Sequence, residues 1–288
     1  MPKLLPAVVP VAAVLLFHAC GTAPAPATDQ APERIVTLNG TLTEIVAALG
    51  MGDRIVGVDV TSTWPPEVEA LPKVGHDRNV RAEGVISLAP DLVLGGNWQM
   101  DPAVRAQLEQ AGERVVLLPH DLSVDGTRTL IRQVADTLGR STEAAPLIAA
   151  IDLDMAAMEA LPAPPKVLFI YARGAGSLMV AGEGTPMHRM IELAGGRNAV
   201  QGFEQFKPLT PEALIAADPD AILMFDTGLD ALQGPDGLLQ VPGMAATAAG
   251  RNKAFITMDG GLLANFGPRL GQAAATLNAA FKAVPPRE

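Results

Sequence analysis

The stretch VGHDRNVRAEGVISLAPDLVL, residues 74–94, has three parts that together indicate an α/β fold. A glycine-containing turn carries His76 and Arg78, a short helical segment carries Glu83, and an apolar run follows at residues 92–94. A strand whose sheet is covered on both faces needs consecutive apolar residues, and this run supplies them. We therefore predict a buried strand of a parallel sheet. The preceding turn should lie at the edge of that sheet, where polar side chains can face a cleft.

The turn brings a possible metal ligand and a cation within two residues of each other. The His76 imidazole can bind a metal, and the Arg78 guanidinium is a permanent cation that matches the fork of a carboxylate. This pair suits an anionic ligand that carries a metal. The alternatives are a loop histidine that only contacts solvent and an ordinary surface arginine.

The pattern around this stretch predicts two lobes. Strands and helices alternate along residues 33–139, which indicates a parallel, doubly wound sheet. A long helix rich in Ala, Leu, Ile and Met is predicted at residues 140–161, and new strands and helices fill residues 162–288. We therefore predict an α/β protein with two Rossmann-like lobes, the N-lobe and the C-lobe. A single long helix joins them, and the ligand cleft lies between them.

The two lobes repeat one sequence pattern. Residues 82–94 and 211–223 each have a glutamate that opens a short helix, then Pro-Asp, then an apolar strand. This approximate internal duplication places Glu83 and Glu212 at equivalent positions on the two lobes.

Composition excludes some classes of partner. The chain has 288 residues, 49% of them hydrophobic and 18% charged, which is enough for two domains with buried cores. The net charge is -10, and no basic block is present. Nucleic-acid binding depends on clustered Lys and Arg, so we do not expect it. Aromatic residues are only 4% of the chain, so any exposed aromatic side chain is a candidate ligand contact.

The N-terminus is typical of a secretory signal. Residues 1–20 read as a signal peptide, because a short basic end precedes an apolar run that is too short for a permanent membrane span. Residues 21–32 read as a flexible linker. Cys20 is the only cysteine, so no disulfide forms, and its place after the apolar run suggests an acylated lipoprotein. The alternatives are release into the periplasm and a retained membrane anchor.

No motif indicates catalysis. The pairs Gly174-x-Gly176 and Gly182-x-Gly184 lack the full dinucleotide fingerprint. No serine or cysteine stands beside a plausible base, and no His/Glu group has zinc spacing. We therefore predict that the protein is not an enzyme.

Short motifs over nearly all of the chain after the signal carry a resemblance to a known family. They are Arg34-Ile-Val-Thr-Leu38, Thr43-Glu44-Ile45, Leu71-Pro-x-Val-Gly-x-x-Arg78, Ala82-Glu83-Gly84, Met179-Val-Ala-Gly-x-Gly-Thr185, Leu193-Ala-Gly-Gly-x-Asn198, Phe203-Glu204-x-x-Lys207-Pro-Leu209 and Phe266-Gly-Pro-Arg269. The chain resembles the helical-backbone substrate-binding proteins of bacterial ABC importers, and specifically their haem-binding members. The resemblance implies a periplasmic carrier that captures haem as its transported ligand and delivers it to a membrane permease with an ATPase.

The resemblance also implies an iron ligand two residues before Arg78. Related carriers usually have tyrosine there, whereas this chain has His76. Imidazole is a common haem ligand, so the change keeps an axial ligand but alters spin state, redox potential and pH dependence. We predict His76 as the axial ligand, with Tyr171 and His188 as alternatives. Their competing roles are a residue at a strand end for Tyr171 and a solvated helix face for His188.

Other residues are expected in the cleft or at the docking surface. Cations for the haem propionates and aromatic rings for the porphyrin face are predicted at Arg78, Trp64, Trp98, Arg173, Lys207 and Arg269. In the family, the positions of Glu83 and Glu212 form ion pairs with permease arginines. The alternative for these two is a glutamate favoured by the helix dipole.

Other carriers and classes remain open at this stage. A carrier for cobalamin or for a ferric siderophore has the same architecture, and a periplasmic haem chaperone or enzyme is a candidate of another class. We expect a monomer that meets the membrane only through a possible lipid anchor.

Overall fold

The structure is a computed structural model, and it describes residues 31–76, 79–97, 100–172 and 178–286. Some predicted functional residues lie outside these ranges: Cys20, Arg78, Trp98 and Arg173. The predicted signal peptide and nearly all of the predicted linker also lie outside them. None of the helices within the described ranges is long and apolar enough to cross a membrane.

The N-lobe is built on a parallel sheet. Its elements are β1 (Ile35–Thr37), α1 (Gly40–Val46), β2 (Ile55–Val58), α2 (Ala82–Ile86), β3 (Leu92–Gly96), α3 (Pro102–Gln110), β4 (Val115–Leu118) and α4 (Val124–Thr137). The strands run parallel in the order β2-β1-β3-β4. Strand β3, predicted from the opening stretch, lies between two neighbours and is buried along its length.

The C-lobe has a mixed sheet. Its elements are β5 (Lys166–Ala172), β6 (Leu178–Ala181), α6 (Pro186–Leu193), β7 (Arg197–Asn198), β8 (Phe206–Pro208), α7 (Pro211–Ala217), β9 (Ala221–Phe225), α8 (Asp226–Ala231), α9 (Pro235–Leu239), α10 (Ala248–Asn252), β10 (Phe255–Met258), α11 (Gly260–Ala264) and α12 (Leu270–Lys282). Strands β7, β9 and β10 form a parallel sheet with β5, whereas β6 is antiparallel to both β5 and β8. The alternating pattern predicts the parallel part only.

Helix α1 has a polar cap at its start, and the helical turns that follow it end near a glycine. Leu42 N donates to Asn39 Oδ1 at 2.8 Å, which satisfies a backbone donor of the first turn. Wider helical turns continue over Ala47–Met51, where Gly50 has a φ of 77°. Glycine adopts this left-handed conformation without strain, and the conformation ends the helix.

The linking helix is shorter than predicted. Helix α5 (Ser141–Ala156) ends five residues before residue 161, so the expected continuation is wrong. Asn278 of α12 binds both backbone groups of Glu159: Glu159 N donates to Asn278 Oδ1 at 3.3 Å, and Asn278 Nδ2 donates to Glu159 O at 3.1 Å. Pro162 also disfavours the helical conformation for the residue before it. A tertiary contact therefore replaces the helical hydrogen bonds.

Helix α5 packs against both lobes, on α4 and on α12. Its approach to α12 is close at Gly271, where an added Cβ would lie 2.6 Å from Asp154 Cβ and 2.8 Å from Ile151 O. Any larger residue at this position would push the two helices apart. The two lobes are thus joined through one well-packed helical element.

Candidate ligand-binding cleft

The carboxyl ends of the two parallel sheets face each other. The loop after β2 meets α11, since a Cβ added to Gly261 would lie 3.4 Å from Thr63 Oγ1. The start of α1 meets the turn before α12, since a Cβ added to Gly40 would lie 2.7 Å from Asn265 Nδ2. Ligands of open α/β sheets bind outside the carboxyl ends of the strands. The cleft between these edges is therefore the candidate binding site.

A buried polar network shapes the loop after β2. Asp59 is fully buried and accepts hydrogen bonds from Thr61 Oγ1 and Ser62 Oγ, both at 2.5 Å. The Ser62 hydroxyl lies 2.7 Å from the Thr43 hydroxyl on α1. A buried carboxylate is costly unless hydrogen bonds compensate it, and these do so. The network fixes the part of the loop that leads to Trp64.

Trp64 is exposed, as its candidate role at the cleft requires. It keeps 43% of its surface accessible, so its ring is not packed in the core. The guanidinium of Arg269 lies over the Trp64 ring at 4.5 Å from the centroid. This distance is typical of a cation–π contact. Trp64 is therefore an exposed ring at the N-lobe edge that a C-lobe cation holds on one side.

The predicted metal ligand lies in a tight, exposed turn. His76 is exposed, and its carbonyl accepts a hydrogen bond from Asn79 N at 2.7 Å. Gly75 has a φ of 111°, a conformation that favours glycine. Val60 N donates to Gly75 O at 2.9 Å, which ties the His76 turn to the loop after β2. The structure therefore brings His76 and the loop of Trp64 to the same edge of the N-lobe.

The C-lobe edge carries a group of aromatic rings, which we call the aromatic wall: Tyr171, Phe206 and Phe225. The Tyr171 ring lies 6.2 Å from that of Phe206 and 5.9 Å from that of Phe225, and all three are half-buried. Such tilted and edge-to-face pairs are favourable. Sequence reasoning missed Phe206 and Phe225. Their positions at the start of β8 and the end of β9 only gain meaning once the strands are aligned.

Lys207 does not join the aromatic wall. Consecutive side chains of a strand point to opposite faces, so Lys207 lies on the other face of β8 from Phe206. Its ammonium lies over the Phe203 ring at 4.5 Å from the centroid. This cation therefore faces away from the rings of the aromatic wall.

Arg269 is engaged by a carboxylate of the other lobe. Its Nε donates to Glu44 Oε2 at 2.9 Å, and its Nη2 donates to Glu44 Oε1 at 2.7 Å. The side-chain exposures are 19% for Arg269 and 3% for Glu44. A bidentate pair of this kind uses the guanidinium fork that a propionate would need. The geometry therefore does not favour Arg269 as a propionate ligand.

His188 is buried inside the C-lobe near the start of α6, so the expected solvated helix face is wrong. Its Nδ1 lies 3.1 Å from Asn198 Nδ2, and its Nε2 lies 3.3 Å from Glu192 Oε2. Both ring nitrogens are engaged within the lobe. This arrangement does not favour His188 as an iron ligand.

His120 lies in the loop after β4 and contacts the other lobe. Its Nε2 lies 3.3 Å from Phe266 O. Burial lowers the pKa of His120 below its ordinary value, and the contacts with Phe266 and Asp121 offset part of that effect. The neutral imidazole with its proton on Nε2 can donate to the carbonyl.

Comparison with known proteins identifies the family. Residues 35–261 match the family described as periplasmic binding protein. The chain belongs to that family. Its members bind substrates for transport, so the chain is a binding protein and not an enzyme.

Proteins that are similar to this binding protein include a haem-binding protein, a substrate-binding lipoprotein and a cobalamin-binding protein. A periplasmic haem-binding protein, RhuT from Roseiflexus sp. RS-1, has 43% sequence identity and a TM-score of 0.82, covering 88% of this chain and 98% of its own. An ABC transporter substrate-binding lipoprotein of Bacillus subtilis, YvrC, is 30% identical, covering 83% of this chain and 76% of its own. A cobalamin-binding protein of Halobacterium salinarum is 31% identical, covering 70% of this chain and 56% of its own.

The two repeated glutamates of this binding protein are exposed in the first turns of their helices. Glu83 opens α2, and Glu212 opens α7, which Thr210 caps by accepting from Ala213 N at 3.2 Å. The repeat is not symmetric in its apolar surface. Ile215 on α7 is 49% exposed, whereas Ile86, its equivalent on α2, is half-buried.

Proposed function

We propose that this protein captures haem in the periplasm and delivers it to the permease of an ABC importer. The observation that carries the proposal is the likeness to the haem-binding RhuT, which extends over 98% of that chain at 43% identity. The YvrC relative, a substrate-binding lipoprotein of an ABC transporter, supports the same transport role. Haem is then the cargo of the protein and takes no part in catalysis.

The chemistry of the two cleft edges supports a planar, apolar ligand. Trp64 and Val60 are exposed on the N-lobe side, and the aromatic wall lies on the C-lobe side. Each Å² of apolar surface removed from water stabilises a complex by about 25 cal/mol. Rings on both sides of a flat macrocycle can cover much of its surface.

Exposure and loop position support His76 as the axial ligand. The imidazole stands in an exposed turn that the scaffold holds at the cleft edge. In the proposal, Arg78 and Arg173 contact the propionates, and Trp98 packs on the ring. Tyr171 remains the alternative ligand, because it lies on the opposite edge of the cleft.

The exposed carboxylates Glu83 and Glu212 support docking on a permease. Single exposed ion pairs contribute only about 0–1 kcal/mol, so two equivalent pairs would chiefly orient the protein. In this proposal a monomer docks with one lobe on each half of the permease. The signal at residues 1–20 directs the protein to the periplasm. Cys20 carries a lipid anchor, and the linker at residues 21–32 joins it to the N-lobe.

An optical titration with ferric haem tests the proposal. The mature protein should give a saturable shift of the Soret band. His76→Ala should weaken the binding at least about tenfold, or about 1.4 kcal/mol, and change the spectrum. His76→Tyr should restore an iron ligand with a phenolate-type spectrum. Glu109→Gln, on the exposed face of α3, is the matched surface control and should bind like the wild type.

Each result of the titration has a distinct meaning. A saturable shift that His76→Ala leaves unchanged keeps the carrier and moves the iron ligand to another residue. The absence of any shift in the wild type contradicts the haem proposal. The same titration with cobalamin then tests the second candidate, which the Halobacterium relative favours.

A further inference from the structure

A polar clamp ties the two lobes together at one end of the cleft. We define the interlobe clamp as Thr41 and Glu44 of α1 with Asn265 and Arg269 around the turn before α12. Besides the bidentate Arg269 contact, Asn265 Nδ2 donates to Glu44 Oε1 at 2.9 Å, and Thr41 Oγ1 donates to the Asn265 carbonyl. Glu44 thus receives three hydrogen bonds from the other lobe at a position with 3% side-chain exposure. Removing it would leave several donors without their acceptor.

The turn of the clamp holds a strained backbone in place. Phe266 has a φ of 48°, which is unfavourable for a bulky residue. Its carbonyl accepts a hydrogen bond from Thr127 Oγ1 at 2.9 Å and lies 3.3 Å from His120 Nε2. Both partners belong to the N-lobe. A strained conformation persists only where its surroundings stabilise it, so the N-lobe contacts help to define this C-lobe turn.

The clamp also reaches the exposed ring of the cleft. The Arg269 guanidinium that Glu44 holds lies over the Trp64 ring. Arg269 therefore contacts a buried carboxylate and an aromatic ring at once. A guanidinium fixed by two hydrogen bonds has little rotational freedom left, and the ring beside it is restrained in turn.

We propose that Glu44 and Arg269 are positioning residues of the cleft. Together they set the separation of the lobes at this end and hold the Trp64 ring ready to stack on a planar aromatic ligand. Preorganisation of this kind strengthens binding, because less conformational freedom is lost when the ligand arrives. The inference rests on the proposed function for the identity of the ligand, but the restraint on Trp64 can be measured without any ligand.

The first test measures the accessibility of Trp64. The chain has two tryptophans, so Trp98→Phe leaves Trp64 as the single fluorescent reporter. In that background, Arg269→Lys keeps the charge and removes the fork, and Glu44→Gln removes the partner charge. Both should raise quenching of Trp64 by acrylamide at least about twofold, as expected when a cation–π partner is released. The surface control is Glu109→Gln, which breaks the exposed ion pair between Arg105 and Glu109 within α3.

The second test measures haem affinity with Trp98 intact. Arg269→Lys and Glu44→Gln should lower the affinity about tenfold, or about 1.4 kcal/mol, and leave the Soret spectrum of the complex unchanged, since neither touches the iron. Glu44→Gln leaves a buried cation unpaired and can unfold the protein. The double variant Glu44→Gln/Arg269→Gln removes both charges and is the folded alternative, checked by circular dichroism.

The outcomes separate this inference from the proposed function. Unchanged quenching of Trp64 in the folded variants overturns the inference, and so does raised quenching with unchanged haem affinity. An altered Soret spectrum would give Arg269 a role at the iron and also overturn it. If the wild type binds no haem, the proposed function fails, and the quenching comparison alone decides whether the clamp restrains Trp64.

Discussion

The two edges of the cleft are built from different chemistry. The N-lobe edge consists of loops held by the buried Asp59 network, and it exposes His76 and Trp64. At the C-lobe edge, Tyr171 and Phe225 lie on the strands themselves and contribute half-buried rings. The difference shows that the two edges of a binding cleft can have different roles. Loops supply side chains that can coordinate a ligand or reorient around it, whereas strands supply a stiff surface for packing.

The structural role of an aromatic residue depends on which edge of the cleft carries it. Phe225 packs edge-to-face on Phe169, with ring centroids 5.0 Å apart, so the aromatic wall is continuous with the C-lobe core. Trp64 has one guanidinium beside it and keeps 43% of its surface accessible to solvent. We therefore expect substitution of an aromatic residue at the C-lobe edge to act on stability and substitution of Trp64 at the N-lobe edge to act on binding.

The largest expected effect is on folding, from Phe225→Ala. Loss of a packed ring should lower the free energy of unfolding by about 3 kcal/mol. Trp64→Ala is the matched variant at the other edge and should cost only about 1 kcal/mol, mainly the cation–π contact. Urea unfolding of both variants would measure their free energies of unfolding. Equal losses would show that the two edges do not differ in this way.

The next effect tests the polar support of the N-lobe edge. Asp59→Asn keeps the shape of the side chain but removes the charge that strengthens its bonds from Thr61 and Ser62. We expect the free energy of unfolding to fall by about 2 kcal/mol. Asp53→Asn, at an exposed carboxylate, should change it by less than about 0.5 kcal/mol. A loss for Asp59→Asn as small as for this control would contradict a supporting role of the network.

A smaller effect is expected on haem binding from Tyr171→Phe. The variant keeps the ring of the aromatic wall and removes the hydroxyl. If His76 binds the iron, affinity should fall less than about threefold, or about 0.7 kcal/mol. A tenfold loss with a changed Soret spectrum would instead move the ligating group to the C-lobe edge and break the division of tasks.

The smallest expected effect is a dependence of stability on pH. It comes from His120, which lies where the two lobes meet. Burial lowers the pKa of His120 from its ordinary value of 6.5, so the unfolded chain binds its proton more readily. Stability is therefore complete above about pH 6.5 and is lost as the pH falls through the pKa of the folded state. His120→Gln can still donate to Phe266 O and should reduce this decline. Thermal unfolding of the wild type and of His120→Gln between pH 5 and pH 7 checks this. If His120 were not the source of the decline, the stability of both proteins would change with pH to the same extent.

Regular apolar patterns predict the elements well in both lobes. Strand β3 was predicted as residues 92–94 and extends over Leu92–Gly96, and the strands beside it also form where apolar runs occur. Strands β6 and β8 are missing from the prediction. Strand β8 has only three residues, Phe-Lys-Pro, so it gives no apolar run, whereas β6 is a run of four apolar residues that the prediction overlooked.

The candidate site is less predictable than the fold. The turn of His76 is visible in the sequence, because a glycine and several polar residues precede a helix. The engagement of Arg269 by Glu44 and the direction of Lys207 were not visible. Sequence reasoning identifies a cation near a motif, but it does not identify the carboxylate, 225 residues away along the chain, that pairs with that cation.

The sequence by itself determined the two α/β lobes, the repeated glutamates and the exposed turn of His76, because each depends on local pattern and on backbone preferences of neighbouring residues. Tertiary structure alone decided the contact of Asn278 with the segment after α5, the aromatic wall and the interlobe clamp. These features depend on contacts between residues far apart in the chain. Their free energies arise only when packing brings the partners together and removes water from between them.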